Sequence, residues 1–148
     1  MTDELARLKK RALDLLSRRE HSTFELYNKL KRHCDDESLI NPLLTELKSQ
    51  GLLSDHRFAD SVRRKVSGKL QGPLRLKRDL SVAKVSADFC SNDEHVDWLS
   101  LAVAALEKKF KLHDLTDPKC QAKALRFLAG RGFTQDIAYN ALKRLRQQ

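Results

Sequence analysis

The stretch GLLSDHRFADSVRRKVSGKLQGPLRLKRDL, Gly51 to Leu80, decides the fold class. A Gly-Leu-Leu-Ser-Asp junction opens it, and Phe58, Val62 and Val66 then recur every four residues. Gly72-Pro73 restarts the chain, after which Leu76, Leu80 and Ala83 mark a second apolar face. Most of the charge between these positions is basic: Arg57, Arg63, Arg64, Lys65, Lys69, Arg75, Lys77 and Arg78. With about 100° per residue, Arg57 and Arg64 fall far from the first stripe, and Arg75 and Arg78 fall opposite the second. The spacing predicts two adjacent amphipathic helices, each burying one face and turning positive charge outward. Such a pattern reads as a binding surface rather than a reaction centre.

The composition agrees. Charged residues make up 33% of the 148, aromatics 6%, with five Gly and three Pro. Few breakers among many good helix formers favour an all-helical protein. Lys and Arg number 29 against 20 Asp and Glu, a formal net charge of +9. That balance points to a polyanion or an acidic protein surface as partner. The N-terminus is polar and charged, unlike a signal peptide, and no apolar run approaches the roughly 20 residues of a spanning helix. Cys34, Cys90 and Cys120 are odd in number and far apart, so no disulfide framework is implied, and a reduced, cytoplasmic location is expected.

Further helices follow from period and caps. Leu5, Leu8, Ala12, Leu15 and Leu16 predict a helix over 3–18. Ser22-Thr23-Phe24-Glu25 reads as a capping box for a helix that buries Leu26, Tyr27 and Leu30 and ends near His33. Ile40, Leu43, Leu44 and Leu47 predict a third, stopping at Gly51. Pro42 falls in its first turn if Ser38 is the N-cap, and kinks the helix otherwise. Ser54 is expected to cap the helix from Asp55 to about Ser67, and Pro73 to start one running to about Lys84. A short helical turn is expected around Ala87 to Cys90. Asp93 to Phe110 reads as the longest regular stretch. Thr116 or Asp117 then caps a helix stopping at Gly132, and Thr134 caps the last. The aromatics Trp98, Phe110, Phe127, Phe133 and Tyr139 default to core, with Trp98 left open for stacking because it lies beside its helix's apolar stripe.

Helix–helix–helix order recurs. Lys29 to Leu47 aligns with Phe127 to Leu145, so that Leu30 meets Leu128, Leu44 meets Leu142 and Leu47 meets Leu145. The expected architecture is three tandem three-helix repeats, 1–51, 52–91 and 92–148, the middle one with a shortened third helix, forming an elongated, curved body. No catalytic or metal constellation is visible in the sequence: the five histidines are scattered, without an H-E-x-x-H pair or close Cys–His spacing. Asp35-Asp36-Glu37 suits a helix start, and Gly130-Arg131-Gly132 reads as a helix stop before an anion nest. No cofactor is expected.

ALDLLSRREHSTFELYNKL (Ala12 to Leu30), GLLSDHRFADSVRR (Gly51 to Arg64), GPLRLKRDL (Gly72 to Leu80) and LAGRGFTQDIAYNAL (Leu128 to Leu142) together resemble the RecX regulatory proteins of bacteria. The departures are Gln71, where the family usually has an aromatic, and Lys84-Val85, where it has Gly-Ile or Gly-Val. The resemblance implies three three-helix repeats and a partner, the RecA recombinase filament on DNA, whose ATP hydrolysis and strand exchange are inhibited. Recombination and the DNA-damage (SOS) response would be restrained, with no chemistry by the protein itself. Contact residues are then expected among Arg57, Arg63, Arg64, Lys65, Lys69, Arg75, Lys77 and Arg78, with Arg18, Arg19 and Arg131 secondary, on a monomer. The competing readings are a basic helical protein binding single- or double-stranded DNA non-specifically, a helical scaffold, and an enzyme. Against sequence-specific DNA binding, no helix shows a concentration of Asn, Gln and Arg for base readout.

Overall fold

A computed structural model describes residues 3–90 and 96–147 of the chain. These form α-helices and short 3-10 turns, with no strand among the described residues. The helices are α1 (Asp3–Arg18), α2 (Thr23–Lys31), α3 (Glu37–Ser49), α4 (Asp55–Gly68), α5 (Pro73–Val82), α6 (Trp98–Lys109), α7 (Pro118–Gly130) and α8 (Gln135–Arg146). 3-10 turns occupy Ala87–Cys90 and Leu112–Thr116. The all-helical fold class is therefore as the composition and periodicity imply.

The chain divides into two compact units, one of Met1–Ser61 with Ser81–Phe89 and one of Val62–Leu80 with Cys90–Gln148. In the first, α1, α2 and α3 close over Leu8, Ala12, Leu26, Leu30, Ile40, Leu43, Leu44 and Leu47, with Leu53 from the following turn. In the second, α6, α7 and α8 close over Ala102, Val103, Leu106, Leu115, Ala124, Leu128, Phe133, Ala138, Ala141, Leu142 and Leu145. Each fully buried leucine contributes about 1.5–3 kcal/mol relative to exposure, so either core amounts to many such increments. Tyr27 packs, partly buried, against the first core, whereas Tyr139 is exposed and does not join a core as the sequence pattern suggested. Trp98 packs, partly buried, against the second core.

Most helix starts follow the expected chemistry. Ser22 Oγ accepts from the Glu25 amide at 3.1 Å, and the Glu25 carboxylate accepts from the Ser22 amide at 3.1 Å, the reciprocal box. Ser54 Oγ accepts from the Arg57 amide, Asp117 caps α7 and Thr134 caps α8. Asp36, not Ser38, caps α3, which leaves Pro42 inside the helix beyond its first turn. α6 is shorter than the apolar stripe implied: Asp97 caps it and Trp98 begins it, leaving α1 the longest helix. The upstream part of that expectation, residues 93–95, lies outside the described residues.

Helix ends explain the turns. Gly51, at φ 73°, donates to the Lys48 carbonyl at 3.0 Å, and Leu52 donates to the Leu47 carbonyl at 2.9 Å. This is a Schellman stop. Gly132 (φ 94°) and Phe133 repeat it on Ala129 and Leu128 at the end of α7. α4 ends the same way with Leu70 at φ 55° in the position glycine usually takes, the Gln71 amide donating to Val66. Lys84, the departure from the usual Gly-Ile or Gly-Val, sits after α5 at φ 57° and donates to Ser81. Left-handed backbone costs a non-glycine residue about 1–2 kcal/mol, so these two turns are held from outside themselves.

Candidate functional site

Within the first unit, the candidate cations are tied to the unit's own groups. Arg57 Nε donates to both oxygens of the Glu20 carboxylate at 3.2 Å, and its Nη2 donates to the Gly51 carbonyl at 2.7 Å. Arg19 forks onto Glu25 at 3.1 and 3.3 Å, and Arg18 pairs with Asp14 one turn back at 3.1 Å. The Asp55 carboxylate accepts from the Thr23 amide at 2.7 Å and from the Thr23 hydroxyl at 3.1 and 3.2 Å. Asp55 thus joins the starts of α2 and α4. His21 is buried, its Nδ1 3.1 Å from the Arg19 carbonyl and its Nε2 2.8 Å from Lys29 Nζ. An ammonium can only donate, so Nε2 accepts and the imidazole is neutral.

Within the second unit, Arg64 and Lys65 are exposed on α4, Lys69 is exposed just past its end, and Lys77 and Arg78 are exposed on α5. None of these five makes an ion pair among the described residues. Arg63 is half-buried, and Arg75 is half-buried with its Nε 3.2 Å from Asp79. Arg131 works differently. Its Nε donates to the Leu70 carbonyl at 3.0 Å and its Nη2 donates to the Lys69 carbonyl. Its guanidinium also lies 5.8 Å from the centre of the Phe127 ring. Two carbonyls at the end of α4, which its own ladder leaves open, are satisfied this way.

The same corner holds two glycines together. Gly72 donates to the Arg131 carbonyl at 2.8 Å, and Leu74 donates to the Gly132 carbonyl at 2.9 Å. A Cβ at Gly72 would fall on the Gly132 carbonyl, and one at Gly132 would lie 2.8 Å from the Arg75 amide nitrogen. The α4–α5 turn, which carries Lys69 and leads into Arg75 on α5, is therefore seated on the α7–α8 turn by backbone bonds and a guanidinium. Sequence reading found these cations but not these roles. The signals available were an Arg between two glycines and an Asp directly after a capping Ser.

What remains for a partner is a set of uncompensated positive side chains on α4 and α5. Like charges kept apart from counter-charges raise the local positive potential, which suits an anionic surface. Among the described residues no group of three or more His, Cys, Asp and Glu could hold a metal ion. None of the described helices is long and apolar enough to cross a membrane.

Residues 9–47 match the family profile of the RecX first three-helix domain, and residues 96–142 that of the RecX third three-helix domain. The chain is 35% identical over 133 residues to the regulatory protein RecX of Pseudomonas putida, covering 88% of this chain and 85% of that one. It is 36% identical over 143 residues to that of Acinetobacter baylyi, covering 96% and 90%, and 39% identical over 139 residues to that of Neisseria meningitidis, covering 92% and 89%. The crystal structure of RecX from Lactobacillus salivarius superposes with a TM-score of 0.85 over all of both chains at 22% identity. Matches of this extent, on a helical fold built from the same stretches, place the chain in a family: it belongs to the RecX regulatory proteins.

Proposed function

We propose that this protein binds the RecA recombinase filament on DNA and restrains its ATP hydrolysis and strand exchange, so modulating recombination, DNA repair and the SOS response. It acts as a cytoplasmic monomer, without chemistry of its own, and its three tandem three-helix repeats (1–51, 52–91 and 92–148) supply successive contact faces. The observation that carries the reading is the row of exposed, uncompensated cations on and beside two consecutive helices, Arg64 and Lys65 on α4, Lys69 just past its end, and Lys77 and Arg78 on α5. Acidic protein surface and neighbouring phosphates are both complementary to it. The resemblance to the RecX proteins is what points to RecA as that partner.

The test is RecA's single-strand-DNA-dependent ATP hydrolysis, with this protein titrated well below the RecA concentration. The salt is set where the protein no longer binds bare DNA, because phosphate binding falls steeply with salt. Inhibition at substoichiometric amounts supports a filament regulator acting through protein contacts. Inhibition only when the DNA is saturated would replace the reading with competition for the strand. The double variant K77E/R78E is expected to lose inhibition while keeping its helicity, and unchanged inhibition would remove α5 from the contact face.

A further inference from the structure

The last helix carries a second surface that the α4 and α5 cations do not include. α8 turns Ala138, Ala141, Leu142 and Leu145 into the second core. Its opposite side holds Gln135, Asp136, Tyr139, Asn140, Lys143 and Arg146, all exposed. Tyr139 is 52% exposed, an aromatic ring that the core does not use. Residues 136, 139, 140, 143 and 146 recur at the helical period, so they form one outward stripe.

Geometry and chemistry both narrow the partner. The turn from α7 to α8 is four residues, 131–134, with Gly132 in the left-handed region at φ 94°. A four-residue turn containing glycine, between the last two helices of a three-helix unit, is the kind of connection that helix-turn-helix proteins use ahead of the helix that enters a major groove. α8 is 12 residues, about 18 Å long, and a B-form major groove of about 12 Å width accepts a helix. Gln135 and Asn140 carry amides able to pair with adenine edges, and Asp136 can accept from cytosine's amino group. Lys143 and Arg146 can neutralise phosphates. Arg144 faces elsewhere, close enough to Asp97 to help the Ser100 hydrogen bonds hold that carboxyl below its ordinary range. Over the whole of α8 such residues are diluted by its apolar half, and its exposed side gathers them.

We propose that α8 is a groove-binding helix for double-stranded nucleic acid, presenting Gln135, Tyr139, Asn140, Lys143 and Arg146 to the duplex. This does not depend on the RecA reading and is tested without RecA. Fluorescence anisotropy would compare a labelled duplex with the same single strand across about 50–200 mM salt. The wild type is expected to prefer the duplex. The double variant N140A/K143A is expected to weaken duplex binding about tenfold or more, and to lower the log–log salt slope by about one, the share of one phosphate contact. Y139A reads the ring's contribution, and circular dichroism checks that these surface variants keep their helicity. Equal affinity for single strand and duplex would overturn the proposal, as would an α8 variant with wild-type duplex affinity.

Discussion

Asp55 and Thr23, 32 residues apart in sequence, are joined by a 2.7 Å hydrogen bond from the Thr23 amide to the Asp55 carboxylate. Ser22 takes one open amide at the start of α2, and Asp55 takes another. Asp55 is also the first residue of α4, so a single carboxylate lies against the positive ends of two helices. Arg57, two residues on, reaches back to Glu20. The stretches Ala12–Leu30 and Gly51–Arg64 are thus bonded to each other.

Replacing Asp55 with Ala leaves the Thr23 amide and hydroxyl without their acceptor. The expected loss is about 1–3 kcal/mol of unfolding free energy, the usual penalty for orphaning such groups. D55N keeps one carbonyl oxygen and is expected to lose less. Urea denaturation of the three proteins reads this directly; a D55A midpoint equal to wild type would show that solvent satisfies Thr23 as well as Asp55 does.

Gly72 and Gly132 are expected to tolerate no side chain. At Gly132 the obstacle is twofold, a φ of 94° and the Arg75 backbone 2.8 Å from an added Cβ. G132A is expected to cost at least about 1–3 kcal/mol from backbone strain, before the close contact is counted. At Gly72 the obstacle is the Gly132 backbone itself, which cannot swing aside as a side chain can. By contrast, G68A meets nothing within 4 Å and has helical backbone, so it should be neutral or stabilising by up to about 1 kcal/mol. Thermal melts of the three variants would rank them, and a G72A protein as stable as G68A would contradict the close approach.

Two arginines of the candidate set should separate cleanly. R131A removes the donors to the Lys69 and Leu70 carbonyls and is expected to lower stability by about 1–3 kcal/mol. R131K cannot reproduce the planar fork and is expected to recover only part of that loss. R78A, on an exposed and unpaired side chain, should leave stability within about 0.5 kcal/mol and weaken only partner binding. Matching denaturation and filament-inhibition data for each variant would test this; an unaltered R131A melt would return Arg131 to the contact residues.

Acid should destabilise the first unit in two steps. Burial pushes His21 below its ordinary 6.5, helped by the charges of Arg19 and Lys29, against the opposing pull of the Arg19 carbonyl and the Glu25 carboxylate. The unfolded chain therefore takes up the proton first as pH falls. The stability tied to neutral His21 is complete above 6.5 and is lost as pH drops from there through the lower folded value. Glu25 gives the second step. Burial alone would raise it, but hydrogen bonds from Arg19 and Ser22 outweigh that and leave it below 4.5, so its contribution is present above 4.5 and lost beneath it. Urea midpoints measured from about pH 8 to about pH 4 should fall below 6.5, and H21Q should flatten the first step alone. A wild-type midpoint unchanged down to pH 5 would show that His21 is not held neutral.

The sequence made the helices legible because their signals are short-range. Apolar residues three and four apart, Ser22, Ser54, Asp117 and Thr134 at the starts, and Gly51 and Gly132 at the ends all act within a turn or two. At α3 the expectation rested on Ser38, and the cap is instead Asp36, two residues earlier, which a local pattern with several capping residues does not single out. Leu70 and Lys84 were opaque for the opposite reason, since a stop without glycine gives no local mark. The cations were legible as charge but not as roles. Arg131 finds its acceptors 61 and 62 residues away, and Arg57 finds Glu20 at 37, distances over which no periodicity speaks. Tyr139 was read as core because aromatics usually are, and only the packing of α8 turns it outward.

The seating of Gly72 on Gly132 also bears on where this chain could be cut. A fragment ending at residue 91 would retain every atom of α4 and α5, yet the carbonyls of Lys69 and Leu70 and the amides of Gly72 and Leu74 would all lose their partners. A fragment starting at residue 92 would keep Arg131 with nothing to cap. Separation at the expected boundary between 91 and 92 is therefore expected to destabilise both fragments. A dissection of its activity by truncation there would report on the lost seating of Gly72 on Gly132 before it reported on either part.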